Sequence, residues 1–242
     1  EGKARKLSSL KSFYDYYFKK NLIRTNPPRQ VDVPKIKNKN IIRLDPNEIA
    51  QLLDEAESGE KLSGRQLASH EKTKVRDVAI LTLLLGTGIR VSECVGLNLE
   101  DVDFNNGAIR IIRKGGNEAL IYFGDEVSQA LEAYMNGPRK KDEPAAGHEE
   151  ALFISLNKTR ITTRSVERLV KKYSRLVTTV KKITPHKLRS TFGTALYQET
   201  GDIYLVADTL GHKDVNTTKK HYAAIDEHRR RMVANVVKLR ES

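Results

Sequence analysis

The sequence lacks a disulfide framework. Its one cysteine, Cys94, lies in an apolar run and is expected to fill core space. No apolar run approaches the length of a membrane span, and no signal-peptide pattern follows the first residue, Glu1. Acidic residues are in short supply, with 31 Asp and Glu against 43 Lys and Arg, a formal net charge of +12 over 242 residues. That excess leaves two readings open: a polyanion partner, either nucleic acid or a membrane surface, or a basic protein with a charged skin. The hydrophobic share of 38% is enough for a real core and unlike that of a disordered chain.

What is present reads as a mainly α chain with a small antiparallel β-sheet. Residues 4–20 carry Leu7, Leu10, Phe13, Tyr14, Tyr17 and Phe18, an amphipathic helical stripe that cannot bury its apolar face alone. Pro27-Pro28, Pro34 and a run of lysines mark a basic extended linker up to residue 43. The main domain opens at Asp45-Pro46-Asn47-Glu48, a capping box with proline at N1, and Leu44 with Ile49 forms a staple. Residues 58–73 are polar and read as a flexible loop or a frayed helical extension. Val75 to Leu85 reads as a central helix that stops at Gly86-Thr87-Gly88. Residues 108–113 and 119–123 flank Lys114-Gly115-Gly116-Asn117, a hairpin with lysine at its tip, and 152–155 is a candidate third strand.

A helix at 162–177 is the most basic part of the domain. From Lys158 to Lys182 there are nine basic residues and one acidic residue, Glu167. Its buried stripe is Val166, Leu169, Val170, Tyr173 and Leu176, so the opposite face is positive. A groove-facing helix is the preferred reading, with Lys158, Arg160, Arg164, Arg168, Lys171, Lys172 and Arg175 as DNA contacts, joined by Lys187. Thr184 caps a further helix with Pro185 at N1 and His186 and Arg189 on its first turns. Gly211 ends a short helix, His212 follows directly, and a new helical run carries His221 and Tyr222.

These residue types suit phosphodiester chemistry. Arginine's planar fork holds two phosphate oxygens, lysine can protonate a leaving oxygen, histidine donates hydrogen bonds or moves protons, and tyrosine is a competent nucleophile. Each also has a duller explanation. Arg90 with Glu93 suits a helix-surface pair, Lys114 a solvated hairpin residue, and Tyr222 a core tyrosine with a wet hydroxyl. Composition and periodicity leave these choices open, and the ordered combination decides them.

In that order the residues resemble the tyrosine recombinase (phage integrase) family, in its Xer-like or transposon-integrase branch. The resemblance covers 44–242. It rests on Gly86-Thr87-Gly88-Ile89-Arg90-Val91-Ser92-Glu93, Lys114, Thr184-Pro185-His186-Lys187-Leu188-Arg189, Leu210-Gly211-His212 and Tyr222. It implies the family's catalytic-domain fold. Arg90 and Arg189 are then phosphate clamps, Glu93 an ordering residue, Lys114, His186 and His212 catalytic partners, and Tyr222 the nucleophile that leaves a 3′-phosphotyrosyl bond. Tyr222 lies ten residues after His212, where many Xer-like members place tyrosine at nine, here His221. Gly115-Gly116-Asn117-Glu118-Ala119 also departs from the family's usual basic continuation.

The domain organisation implied is the last helix of a truncated core-binding domain at 1–26, a linker at 27–43, a catalytic domain at 44–225, and a C-terminal helix at 226–242 open to exchange between subunits. The expected activity is site-specific recombination of double-stranded DNA by a homo-oligomer, tetrameric in synapsis, with no metal, no cofactor and no membrane partner. The expected setting is the bacterial cytoplasm and nucleoid. A type IB topoisomerase-like enzyme and a non-catalytic DNA-binding protein on the same fold are the alternatives.

Overall fold

The computed structural model describes residues 2–34, 42–113, 115–212, 215 and 218. The chain divides into two units, its first 40 residues and the remainder. In the first, α1 (Gly2–Lys19) is followed by a 3-10 turn at Pro27–Gln30. The Asp15 carboxylate ties the two, accepting from Asn26 Nδ2 at 2.6 Å and Arg29 Nε at 2.8 Å. Along α1, Leu10, Phe13 and Tyr16 are exposed, while Leu7, Tyr14, Tyr17 and Phe18 are half-buried.

The second unit begins with α2 (Pro46–Ser58). Asp45 accepts from Glu48 N at 2.9 Å while the Glu48 carboxylate accepts from Asp45 N at 2.8 Å, the reciprocal cap read from the sequence. Such a cap is worth about 1 kcal/mol, enough to set where the helix starts. Then α3 (Gly64–Thr87) runs through the middle of the unit, packed on α2, α5, α6 and α7. Ala79 to Leu84 are buried on every side of it, so this is a core helix rather than a surface one.

Two expectations are corrected here. Residues 58–73 are not one loop, because α3 begins at Gly64, six residues into that stretch. Its first turns bury polar residues, which apolar periodicity does not register. His70, Thr73 and Asp77 meet Tyr173 of α6: His70 Nδ1 lies 3.0 Å from Tyr173 Oη, and Tyr173 Oη and Thr73 Oγ1 donate to Asp77 Oδ2 at 3.1 and 3.0 Å. Residues 152–155 are not a sheet strand either. Around them are the single bridges Asn98–Ala151 and Ile154–Arg160, and the third strand is Val102–Asp103. A short apolar run suits a buried core segment as well as a strand, and Leu152 and Phe153 are core residues.

Between α3 and the sheet sits the short α4 (Val91–Gly96). The sheet is antiparallel in the order β1 (Val102–Asp103), β2 (Ala108–Ile112), β3 (Glu118–Tyr122), with Arg110 opposite Leu120. Ile109, Ile111 and Ile121 face the core, while Arg110, Ile112, Leu120 and Tyr122 face outward. Among the described residues four more α-helices follow: α5 (Asp125–Tyr134), α6 (Thr163–Val177), α7 (Pro185–Thr200) and α8 (Ile203–Thr209). Cys94 is fully buried, and burial pushes its thiol up to about 12, which makes it an inert core residue. No helix among the described residues is long and apolar enough to cross a membrane.

Candidate active site

The site is assembled from three turns. The first follows α3. Gly88 has φ +62°, and a Cβ there would lie 2.3 Å from Phe192 of α7, so only glycine lets this turn approach that helix. The approach places the Gly88 carbonyl 2.6 Å from Nη1 of Arg189. Two residues on, Arg90 is the N-cap of α4. Glu93, buried, accepts from Arg90 N at 2.6 Å and from Arg90 Nη1 at 2.7 Å. One carboxylate thus caps the helix and aims the guanidinium, which stays about one-third exposed (37%).

The second is the start of α7. Thr184 precedes Pro185, whose missing N–H costs nothing at the first helical position. His186 lies exposed on the first turn, and Arg189, one turn further, is buried. The third turn ends α8. Gly211, with φ +60°, donates to Asp208 O at 2.7 Å, and His212 N donates to Ala207 O at 2.8 Å, the paired bonds of a Schellman stop. A glycine followed by histidine therefore places His212 by backbone geometry. Its ring is set by a second contact, Nδ1 to Thr218 Oγ1 at 2.7 Å, with Thr218 fully buried.

Three arginines grip four successive carbonyls of this last turn. Arg113 donates to Asp208 O and Thr209 O, Arg189 Nη2 to Leu210 O, and Arg90 Nη2 to Gly211 O at 3.3 Å. A hydrogen bond from a charged donor is worth about 1.5–3 kcal/mol, so the set holds the turn firmly.

The structure thus brings Arg90, Glu93, Arg189 and His212 together. Lys114, His221, Tyr222 and the helix expected at 226–242 lie outside the described residues. The eight basic residues separate. Arg164, Arg168, Lys171 and Arg175 are exposed on α6 at spacings of four, three and four, one continuous stripe. Arg160 turns inward, its Nη1 donating to Val95 O at 3.1 Å and Leu97 O at 2.7 Å. Lys158 pairs with Asp142 at the surface. Lys172 reaches Tyr173 Oη at 2.9 Å, and burial holds its ammonium below the usual lysine range. Lys187 is half-buried on the first turn of α7. Sequence reasoning missed Arg113 and Thr218. The adjacency of Arg113 to Lys114 and the place of Thr218 four residues before Tyr222 in sequence were the available signals, and neither shows a partner.

The model of the phage integrase family matches residues 42–229. The tyrosine recombinase XerC of Thermodesulfovibrio yellowstonii is 37% identical over 218 residues, 89% of this chain and 69% of that one. Among solved structures, XerA recombinase superposes with a TM-score of 0.67 at 25% identity, over 96% of this chain and 74% of the other. The integrase of transposon Tn1549, in complex with circular intermediate DNA, gives 0.70 at 25% identity, over 94% and 77%. The chain belongs to the phage integrase family. Within it, the chain is a tyrosine recombinase, an enzyme of site-specific DNA recombination similar to XerC.

Proposed function

We propose that this recombinase cuts and rejoins double-stranded DNA through Tyr222, forming a 3′-phosphotyrosyl intermediate and using neither metal nor ATP. The observation that carries the reading is the convergence of Arg90, Arg189 and His212 on one turn. Two guanidiniums bonded to the turn that carries an imidazole are the donors suited to the charge that builds on a phosphate as a fifth oxygen approaches. In the forward step the Tyr222 oxygen bonds to phosphorus, the bond to the 5′ oxygen breaks, and Lys114 supplies that oxygen's proton. The phenolic proton passes to an acceptor at the site. One phosphoester replaces another, so the bond energy is conserved and a second strand's 5′ hydroxyl reverses the step.

The α6 stripe lies along the DNA backbone in this reading, adding affinity without sequence choice. The Tn1549 integrase was solved with circular intermediate DNA, which supports a duplex partner. Strand exchange runs in a homotetramer, with residues 226–242 docking on a neighbouring subunit.

The test is covalent trapping on a nicked half-site. An adduct that resists denaturant forms on Tyr222, and Tyr222→Phe removes it. An adduct that persists in that variant, or maps to another residue, overturns the assignment.

A further inference from the structure

Of the three arginines on the turn after α8, two belong to the boxes read from the sequence. The third, Arg113, directly precedes Lys114 in the β2–β3 hairpin. Its Nη1 and Nη2 lie 3.4 and 3.5 Å from Asp208 O, and Nη2 lies 3.2 Å from Thr209 O. The last carbonyls of a helix lack intrahelical partners and carry the negative end of its dipole, so a cation is at home there. The guanidinium also lies against the bare face of Gly211, where a Cβ would stand 2.1 Å from Nη1.

Arg113 is held equally well from behind. Its N donates to Asn117 O at 2.8 Å, and its carbonyl accepts from Gly116 N at 3.0 Å, which fixes it within the hairpin turn. One residue therefore joins two pieces of chain 95 positions apart, the hairpin and the turn ending in His212. Both Nη atoms are engaged with carbonyls, and Nε is buried without a hydrogen-bond partner.

The geometry points to Arg113 as a positioning residue: by gripping the end of α8 it registers the hairpin that carries Lys114 against the turn that carries His212. Proton donor and phosphate ligand then meet at one phosphate. This rests on the reading of Lys114 as the acid. The demand is steep, because misplacing a catalytic group by about 1 Å can cost about 100-fold in rate.

The test compares two DNA substrates in single-turnover cleavage, one with the natural 5′ bridging oxygen and one with sulfur there. A thiolate is stable near pH 8.5, about the thiol's ordinary pKa, and leaves without a proton donor. Arg113→Ala should slow the oxygen substrate about 10- to 100-fold and leave the sulfur substrate within about threefold of the parent, because only the acid step is misplaced. Arg113→Lys keeps a stem and a charge for the carbonyls. It should fall between parent and alanine on oxygen and match the parent on sulfur, and it provides the same comparison if the alanine variant fails to fold. Equal loss on both substrates, or no loss on either, overturns the inference. Lys114→Ala separates the two layers. If sulfur does not rescue it, the acid assignment fails and the inference falls with it. If sulfur rescues Lys114→Ala and not the Arg113 variants, the inference alone fails.

Discussion

Thr218 meets the Nδ1 atom of His212 at 2.7 Å, from a fully buried position four residues ahead of Tyr222 in sequence. When its hydroxyl donates, the imidazole carries its proton on Nε2 and offers a neutral donor to a phosphate oxygen. Thr218→Val keeps the shape and removes the hydroxyl. Its single-turnover cleavage rate should fall about tenfold, the value of one hydrogen bond, while Thr218→Ser should recover most of it. An equal loss in both variants would show that packing, not the hydroxyl, sets the ring. At this scale the box residues were legible because their ordered combination resembles the family's. Thr218 and Arg113 were not, because a threonine or arginine shows its role only through the partner it reaches.

At the scale of elements, α6 shows how far a pattern can be read. The apolar positions Val166, Leu169, Val170 and Tyr173 fix its buried side, and the opposite side is basic by default. Which basic residues stay on that side is a matter of neighbours. Arg160 lies just ahead of the helix and finds two carbonyls, and Lys172 finds Tyr173 and Asp77. Changing Arg164, Arg168, Lys171 and Arg175 to Gln together should weaken DNA binding at every sequence. The slope of log affinity against log salt should shrink by about three to four, at about 0.9 for each phosphate no longer neutralised. Arg160→Gln should instead lower thermal stability, by about 1–3 kcal/mol for the carbonyls it leaves unsatisfied. Reversed outcomes for the two variants would contradict the stripe.

Over the whole molecule, the joint between α3 and α6 makes folding depend on pH. His70 is fully buried there, and burial, followed by the nearby Lys172 charge, holds its imidazole below the ordinary value. Tyr173, Asp77 and Glu71 also face or neighbour it. A histidine with a depressed folded pKa binds its proton more readily in the unfolded chain. Stability is therefore complete above the unfolded value of about 6.5 and declines as pH falls below it. The thermal midpoint should drop on acidification through that window, and His70→Gln should flatten the slope relative to the parent. An unchanged slope in the variant would remove His70 as the cause.

The same joint separates what each level of description holds. The helix starts at Asp45 and Thr184, the stop at Gly211, the hairpin around Gly115-Gly116 and the apolar side of α6 follow from local rules, and these are legible in the sequence because capping, turn chemistry and periodicity act within a few residues. The box residues are read instead from the resemblance of their ordered combination to the family. Tertiary structure decided that the polar side of residues 64–73 is buried, because His70 meets Tyr173 only across 103 positions. It alone decided that Arg160 faces inward while Arg164 faces out. It also decided that the carbonyls of residues 208–211 draw arginines from three distant turns, because a hydrogen bond depends on where chain segments meet, and no single segment contains that information.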